Sequence, residues 1–461
     1  MWERFSYYGM RALLILFMTA PLAGGGLGFS IATAGIVYGL YTASVYLMSV
    51  PGGWVADRLI GQRRAVLYGG VLIALGQFSL GVHSPAFFFS GLALIVAGTG
   101  LLKPNVSTIV GQLYTAGDQR RDSGFSIFYM GINIGALIAP LACGYVGQMI
   151  NWNLGFMLAG AGMVLGLVQF VLGARYLGEA GLRPAAPISP RRRGPIAAAS
   201  IAVAAGVPLL ALSGFLHITA AEVGDAAGVV LIALTIGIFA RLLSSREWTP
   251  VERRRFLAIA VLFLASALFF SAFEQAGSTL NLFAARSTRD RILGLAFPST
   301  WFQSLNPLFI VLLAPGFAWL WIRLGRREPS TPVKFALGLL LVGAGFVVIA
   351  FAAARAASGV LVSPLWLLAT YFLHTCGELC LSPVGLSAMT KLAPARVASL
   401  VMGVWFLSIS VGDYIGGRFA SVYGTFSPAS LFATVAAFTV AVGLALGALA
   451  KPVKRLMGGV T

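Results

Sequence analysis

The first residues of the chain combine two arginines and two tyrosines at helical spacing. Arg4 and Arg11 are seven positions apart, and Tyr7 and Tyr8 fall between them. Positions three, four and seven apart share one face of a helix, so these side chains predict a strip of guanidinium and phenol donors. Such a strip suits a carboxylate, because arginine presents a planar fork of N–H groups. The alternative is that both arginines snorkel from a helix that starts at a membrane surface.

Ionisable residues also occur inside or close to long apolar runs: Glu3, Arg4, Arg11, Lys103, Glu274, Glu378 and Asp413. Each costs roughly 2.5–3.5 kcal/mol at the centre of a membrane helix on insertion scales. We therefore expect them to line an internal polar path or to pair with one another. The cations of the set fall in the N-terminal half, and Glu274 and Glu378 fall in the C-terminal half. This polarity is complementary to a dipolar ligand; ion pairs that only hold helices together are the alternative.

The composition indicates which elements must position these residues. Of the 461 residues, 58% are hydrophobic and only 10% are charged, against about 25% charged in a typical soluble domain. An ordinary soluble enzyme, a disordered protein and a nucleic-acid binder are excluded on this ground. The three cysteines are too few for a disulfide framework. The chain reads as a polytopic membrane protein.

Fourteen apolar runs are long enough for a membrane helix, which needs roughly 20 residues. They are too long and continuous for barrel strands, so we predict an all-α membrane protein. Six runs lie in 1–177, two lie in 178–253 between linkers, and six lie in 254–461. This pattern predicts two six-helix bundles joined by an inserted helix pair. The runs are near 2–22, 31–52, 65–82, 86–113, 124–149, 153–177, 195–217, 226–244, 254–277, 298–323, 333–353, 362–390, 396–420 and 425–450.

The distribution of cations predicts the orientation. With the N-terminus in the cytoplasm, 24 of the 32 Lys and Arg fall in cytoplasmic loops and 5 fall outside, as the positive-inside rule requires. We therefore expect a multi-pass protein of the cell inner (plasma) membrane with both termini cytoplasmic. The net charge of +18 is explained by topology, so no nucleic-acid partner is expected.

Seven short motifs, in order along the chain, carry a family resemblance. They are ERFSYYG (3–9), GWVADRLIG (53–61), GLLKPN (100–105), FYMGINIG (128–135), FEQ (273–275), NP (306–307) and GEL (377–379). Together they resemble the proton-dependent oligopeptide transporter (POT) family of the major facilitator superfamily, in its bacterial form. The resemblance runs nearly end to end and implies a proton-coupled symporter that imports di- and tripeptides by alternating access.

The resemblance also implies roles for individual residues. Peptide carboxylates would be bound by Arg4, Arg11 and Lys103, and the peptide amino terminus by Glu378, Asn133 and Asn306. Glu274 would be protonated and lie at the binding site, with Glu3, Arg4 and Lys103 as further proton-coupling residues. Asp57 and Arg58 would belong to a gating loop. The side-chain pocket would be lined by Tyr7, Tyr8, Tyr46 and Trp405.

One departure from the family pattern concerns the start of the first motif. That motif usually begins with a Glu three residues before Glu3, a position that would precede Met1. A start codon assigned at an internal Met, a naturally short protein and a trimmed chain are the three explanations. We favour the first, because the motif otherwise continues intact.

Other functions remain open on the same residues. The same fold could carry nitrate, a single amino acid or a peptide-like drug, and a non-transporting peptide sensor is a further alternative. Nitrate does not need Glu378, and sensors usually add a soluble output domain. No HExxH, nucleophile–base or paired-Asp motif occurs in the sequence, so an enzyme is not expected. We expect a monomer in membrane lipid, coupled to protons, with no metal or other cofactor.

Overall fold

The computed structural model describes residues 1–114, 118, 120–184, 187, 219–245, 247–292 and 294–459. Its first α-helices are α1 (Trp2–Thr19), α2 (Ile31–Leu47), α3 (Ser49–Val55), α4 (Gln62–Leu80), α5 (Pro85–Gln112), α6 (Arg120–Tyr145) and α7 (Trp152–Gly173). The later ones are α8 (Ala220–Ser244), α9 (Pro250–Phe273), α10 (Thr279–Ser287), α11 (Leu305–Leu324), α12 (Thr331–Ala356), α13 (Leu365–Leu392), α14 (Ala398–Ser421), α15 (Pro428–Ala448) and α16 (Ala450–Leu456). Two short antiparallel strands, β1 (Arg291–Ile292) and β2 (Leu295–Ala296), follow α10.

The helices coincide with thirteen of the fourteen predicted spans; the span at 195–217 lies outside the described residues. Within the described part of the chain, ten helical stretches are long and apolar enough to cross a membrane. The helices α1 and α13 are not among these ten, and they carry the ionisable residues Arg4, Arg11 and Glu378. Lys103 and Glu274 lie on stretches that are among the ten, so only part of the predicted site lies on helices outside that set.

The predicted span at 254–277 needs a correction at its end. The helix α9 stops at Phe273, a 3₁₀ turn covers Glu274–Gly277, and α10 then continues to Ser287. Polar side chains support the break: Gln275 Nε2 donates to the Ser271 carbonyl at 3.1 Å, and Thr279 Oγ1 donates to Gln275 Oε1 at 2.7 Å. These contacts satisfy polar groups that a continuous helix would otherwise satisfy itself.

The chain divides into two compact units. The first comprises the described residues within Met1–Gly28 and Ser44–Val223, and the second those within Phe29–Ala43 and Gly224–Thr461. Thus most of α2 and nearly all of α8 group with the C-terminal helices. The sequence-based boundaries at 177 and 253 divide the chain by spans and linkers and stay predictions.

In the first unit, glycines bring α4 and α5 into backbone contact. A Cβ at Gly69 would lie 2.6 Å from the Gly98 carbonyl oxygen, and a Cβ at Gly76 would lie 2.7 Å from the Gly91 carbonyl oxygen. Small residues at such spacing are the usual means of close helix approach in membranes. This packing fixes α5, which carries Lys103.

In the second unit, the same device joins α12 to α13 and α2 to α14. A Cβ at Gly338 would lie 3.0 Å from the Gly377 carbonyl oxygen, and one at Gly39 would lie 2.6 Å from the Gly417 Cα. Ser410 Oγ also donates to the Ala43 carbonyl at 2.7 Å. Gly377, the buried residue before Glu378, therefore fixes the position of that carboxylate along α12.

The inserted helix α8 is docked on α14 of the second unit. An ion pair joins Asp225 to Arg418, whose Nε also donates to the Tyr414 hydroxyl at 3.1 Å. A Cβ at Gly228 would lie 2.2 Å from that same hydroxyl. After α8, a capping box at Thr249 and Glu252 with Pro250 at the first helical position starts α9.

Candidate functional site

Cations and tyrosines form one cluster in the first unit. Arg4 and Arg11 are only 9% and 7% exposed. The Arg4 guanidinium lies 5.5 Å from the centre of the Tyr7 ring, and that of Arg11 lies 5.8 Å from the centre of the Tyr8 ring. The two tyrosine rings meet edge to face at 5.2 Å. Buried arginines on aromatic rings are held in fixed positions, which does not fit snorkelling at a membrane surface.

Glu3 partly neutralises this cluster. Arg4 Nε donates to Glu3 Oε2 at 2.5 Å, and Arg4 Nη2 donates to Glu3 Oε1 at 2.9 Å. Both side chains are largely buried, with 10% and 14% exposed. A bidentate pair of this kind is directional as well as charged. It fixes the Arg4 fork, so a change in the charge of Glu3 would alter the orientation of Arg4.

Lys103 joins the cluster from α5. Its Nζ lies 3.4 Å from the centre of the Tyr46 ring, and Tyr46 and Tyr8 both interact electrostatically with Arg4. The structure thus brings six predicted site residues of the first unit together: Arg4, Tyr7, Tyr8, Arg11, Tyr46 and Lys103. Within α1 and α5 the cluster holds three cations against one carboxylate, so its field favours an anion.

Asn133 lies on α6 in the same unit and is buried. Its Nδ2 donates to the Tyr129 carbonyl one turn earlier at 3.0 Å. Nearby, a Cβ at Gly135 would lie 3.2 Å from the Arg4 Cβ, so α6 closely contacts the face of α1 that carries the arginine. The resemblance groups Asn133 with Glu378 and Asn306, which belong to the second unit; that grouping stays a prediction.

A hydrogen-bonded carboxylate forms the corresponding cluster in the second unit. Asn306 Nδ2 donates to Glu378 Oε2 at 2.8 Å and lies 3.1 Å from the Thr375 hydroxyl. Asn306 is in the first turn of α11, directly after a 3₁₀ turn at Ser299–Ser304. The predicted pair Glu378 and Asn306 is therefore brought together. Sequence reasoning missed Thr375, although its position three residues before Glu378 placed it on the same helix face.

Glu274 lies at the break between α9 and α10 and is 8% exposed. The Tyr371 hydroxyl on α13 donates to the Ala276 carbonyl at 3.3 Å, and the Thr375 hydroxyl donates to the Tyr371 carbonyl at 2.8 Å. Tyr371 thus links the turn that carries Glu274 to Thr375, one helical turn before Glu378. Tyr371 is a second residue that sequence reasoning missed, because its contact with Ala276 joins elements 95 residues apart in the sequence.

Trp405 is enclosed by packing on α14. Its ring lies 6.3 Å from the ring of Phe270 and 6.4 Å from that of Phe335, and a Cβ at Gly385 would lie 2.2 Å from Trp405 Cη2. The residue is buried. These contacts are those of a core side chain, and its predicted place in a side-chain pocket stays a prediction.

Asp57 and Arg58 lie in a wide helical turn, Ala56–Ile60, that ends at Gly61. Both side chains are exposed. Gln62 Nε2 donates to Asp57 Oδ1 at 2.8 Å, and Gly61 has a φ of +84° that favours glycine. Arg63 ties the loop to the residues after α7, because its Nε donates to the Ala180 carbonyl at 2.6 Å. The turn is thus anchored on one side and open to solvent on the other.

Comparison with known proteins places the chain in a family. The profile described as "PTR2: POT family" matches residues 63–434. The chain belongs to the POT family. It is 42% identical over its whole length to the uncharacterized transporter YclF of Bacillus subtilis, covering 93% of that protein. It is 39% identical over its whole length to the di-/tripeptide transporter of Lactococcus lactis subsp. cremoris, covering 95% of it.

A solved structure shows the same fold. It is the crystal structure of a peptide transporter POT, a Glu-to-Gln mutant in complex with alafosfalin. The two sequences are 45% identical and the TM-score is 0.92, and the match covers 99% of this chain and 94% of the solved chain. Membership of the POT family confirms both the resemblance and the predicted all-α major facilitator fold. The helical pattern and the family together make the chain a multi-pass membrane protein.

Proposed function

We propose that this protein is a proton-coupled symporter that imports di- and tripeptides by alternating access. The observation that carries the proposal is the opposite charge of the two clusters. The first unit holds Arg4, Arg11 and Lys103 among tyrosines. The second holds Glu378, which accepts a hydrogen bond from Asn306, and Asn306 also donates to the Thr375 hydroxyl. The names of relatives as di-/tripeptide and peptide transporters point to the same cargo.

Each cluster has a distinct role in the proposal. In the first unit, the guanidinium and ammonium groups bind the peptide carboxylate, since charge-assisted hydrogen bonds are the strongest available there. In the second unit, Glu378 binds the peptide ammonium, and Asn306 holds the carboxylate in position for it. Recognition of the two ends leaves the side chains of the peptide free to vary. Nitrate would use only the cationic cluster, so the hydrogen-bonded Glu378 favours a cargo that carries an amine.

Glu274 is the proposed protonation site of the second unit. Its burial at a break between helices allows its charge to change without disrupting a hydrogen-bonded helix. Glu3 and Arg4 form the proton-sensitive pair of the first unit. Inward movement of one elementary charge gains about 2.3 kcal/mol per 100 mV, which can drive accumulation. The proposal needs no cofactor other than the proton and places both termini in the cytoplasm of a monomer in the inner membrane.

Uptake into liposomes tests this proposal. Purified protein is reconstituted and given labelled dialanine, an inward proton gradient and a negative interior. We expect accumulation that a protonophore abolishes. N-acetyl-dialanine and dialanine amide, which each lack one charged end, are expected to compete at least tenfold more weakly than dialanine. A peptide cargo would be rejected if nitrate competes as well as unlabelled dialanine, or if labelled dialanine is not taken up.

The Glu274→Gln variant tests the coupling separately from the cargo. A neutral amide cannot exchange a proton, so we expect the variant to retain counterflow exchange of dialanine and to lose proton-driven accumulation. Glu247→Gln, an exposed carboxylate in the same unit, serves as the control and should accumulate like the wild type. Accumulation that survives in Glu274→Gln would remove Glu274 from the coupling mechanism and leave the cargo assignment standing.

A further inference from the structure

A cavity in the second unit lies apart from the Glu378 cluster. The cavity measures about 610 Å³ and is lined by α11, the connection at Gly325–Thr331, α12, α13 and the C-terminal helix α16. Small-molecule sites commonly span about 300–1,000 Å³. It lies where α11 and α13 end and where α12 begins. The proposed peptide-binding residues Glu378, Asn306 and Glu274 do not line it.

The side of the cavity formed by the helix ends, here called its mouth, is cationic. Lys334, Lys391 and Lys454 line it, from α12, α13 and α16 respectively, and Glu328 is the one carboxylate among the described residues of the lining. Lys334 is 6% exposed. Its Nζ lies 2.5 Å from Glu328 Oε1 and 4.3 Å from the centre of the Trp321 ring. Lys391 and Lys454 are exposed, so two solvent-accessible ammonium groups accompany one that is buried.

The rest of the lining is largely apolar. It is built from side chains such as Phe317 of α11 and Leu379 and Val384 of α13, with Met457 after α16. The stretch Ser299–Leu324, which includes α11, is also the least buried of the candidate spans in the described part of the chain. Only 11% of its most apolar 18-residue segment is buried. Large apolar side chains are exposed along it, among them Leu312 at 63% and Ile322 at 81%. Within the cavity, α11 presents Phe317 and Trp321, which an apolar chain can contact.

The gradient from cationic mouth to apolar wall defines the chemistry of the occupant. It must carry an anionic group, because the cations outnumber the carboxylate, and a hydrocarbon chain, because the rest of the lining is largely apolar. The mouth belongs to the loop ends that hold the excess of Lys and Arg and that the positive-inside rule places in the cytoplasm. Basic pockets between helices at that membrane face suit acidic lipid headgroups.

We infer that this cavity binds one acidic phospholipid. The phosphate lies among Lys334, Lys391 and Lys454, and an acyl chain lies against Phe317, Leu379 and Val384. A soluble phosphate ester shares the headgroup chemistry but lacks the chain, so the two sources differ in a measurable way. The inference goes beyond the proposed peptide transport and does not depend on it.

Lipid binding to the full-length protein in detergent tests the inference. Native mass spectrometry is used to titrate phosphatidylglycerol, phosphatidylcholine and soluble glycerol 3-phosphate. We expect phosphatidylglycerol to bind at least tenfold more tightly than either of the others. Phosphatidylcholine binding as tightly would overturn the role of the lysines, and glycerol 3-phosphate binding as tightly would overturn the assignment to a lipid.

Paired variants locate the site. Lys391→Gln/Lys454→Gln removes the two exposed ammonium groups and is expected to weaken phosphatidylglycerol binding at least tenfold. Lys451→Gln/Arg455→Gln removes the same charge from α16 at exposed positions outside the cavity lining, and is expected to change binding less than twofold. Equal losses in the two double variants would mean general attraction to a basic surface and would reject the cavity.

A third pair of variants tests binding of the acyl chain separately from binding of the headgroup. Ala318 lines the cavity and is exposed, so Ala318→Trp fills the apolar part without altering any charge. We expect it to weaken phosphatidylglycerol binding at least fivefold. Leu312→Trp, on the same helix and outside the cavity lining, is the control and should bind like the wild type. Full binding by Ala318→Trp would place the lipid elsewhere.

Discussion

A carboxylate and an amide in direct contact are the chemical centre of the second unit. Asn306 donates to Glu378 and contacts the Thr375 hydroxyl, which itself donates to the Tyr371 carbonyl. A carboxylate held in this way is positioned before a ligand arrives, which reduces the cost of ordering it on binding. Thr375 is thus expected to contribute to ligand affinity through the position of Asn306.

Replacing Thr375 with valine tests that contribution. The change removes one hydroxyl at nearly constant volume, and the net worth of such a hydrogen bond is about 1 kcal/mol. We expect the apparent affinity for dialanine to fall about fivefold, with little change in the maximal rate. Thr370→Val removes a buried hydroxyl from the same helix, where it bonds to the Trp366 carbonyl. Affinity should be unaffected there; an equal loss in both variants would indicate a general effect on α13.

The contacts that sequence reasoning found lie within one helix, whereas those it missed join residues far apart in the sequence. The strip at Arg4, Tyr7 and Arg11 was predictable because helical spacing alone places these residues together. The hydrogen bonds of Thr375 and Tyr371 join separate helices, and no local spacing encodes such a contact. The pairing of Glu378 with Asn306 came only from the family resemblance, for the same reason.

At the scale of helices, hydropathy located the spans but not their internal breaks. The run at 254–277 was read as one helix, whereas the helix ends at Phe273 and a 3₁₀ turn holds Glu274. The turn depends on side chains at Ser271, Gln275 and Thr279 and on a donor from α13. A window that averages apolar character cannot register those polar contacts. Breaks of this kind occur in transporters where the backbone lines a polar path.

The contact of Gly385 with Trp405 gives a prediction about helix packing. A methyl group at Gly385 would overlap the six-membered part of the indole ring, and overpacking of this kind typically costs 1–3 kcal/mol. We expect Gly385→Ala to lower the melting temperature of the purified protein. Trp405→Phe removes the overlapping atoms. Adding Gly385→Ala to Trp405→Phe should therefore lower the melting temperature much less than adding it to the wild type.

If the effects of Gly385→Ala and Trp405→Phe on stability are strictly additive, the two residues do not contact each other in solution.

The same variants also bear on the predicted role of Trp405. If Trp405→Phe alters the preference among dipeptide side chains at unchanged stability, the ring lines a side-chain pocket. If it alters stability alone, the ring acts in packing between α13 and α14. The enclosure by Phe270 and Phe335 favours the second result.

At the scale of the whole molecule, the thirteen spans of the six-plus-two-plus-six pattern that lie in described residues were predictable from apolar runs. The grouping of helices into units was not, because it depends on contacts far apart in sequence. The helix α8 joins the second unit through Asp225 and Arg418, which are 193 residues apart. A pairing of two single residues at that distance leaves no local pattern.

The Asp225–Arg418 ion pair predicts how α8 is retained. Asp225→Asn weakens the pair, whose side chains are 67% and 36% exposed, so we expect a small loss of stability of up to about 1 kcal/mol. Hydrogen exchange within α8 should become faster than in the wild type. The exchanged pair Asp225→Arg/Arg418→Asp should restore the slower exchange. If the double variant exchanges as fast as Asp225→Asn, the ion pair does not retain α8.

The contact between α2 and α14 has a consequence for how the protein is made. Ser410 bonds to the Ala43 carbonyl across 367 residues, so α2 leaves the ribosome long before its partner exists. At about 5–20 residues per second, synthesis of that interval takes roughly 20–70 s. Throughout this time the glycine face of α2 is open to any other helix in the bilayer. Messages truncated before α14 are therefore expected to yield chains that quality-control proteases remove, however complete their N-terminal helices.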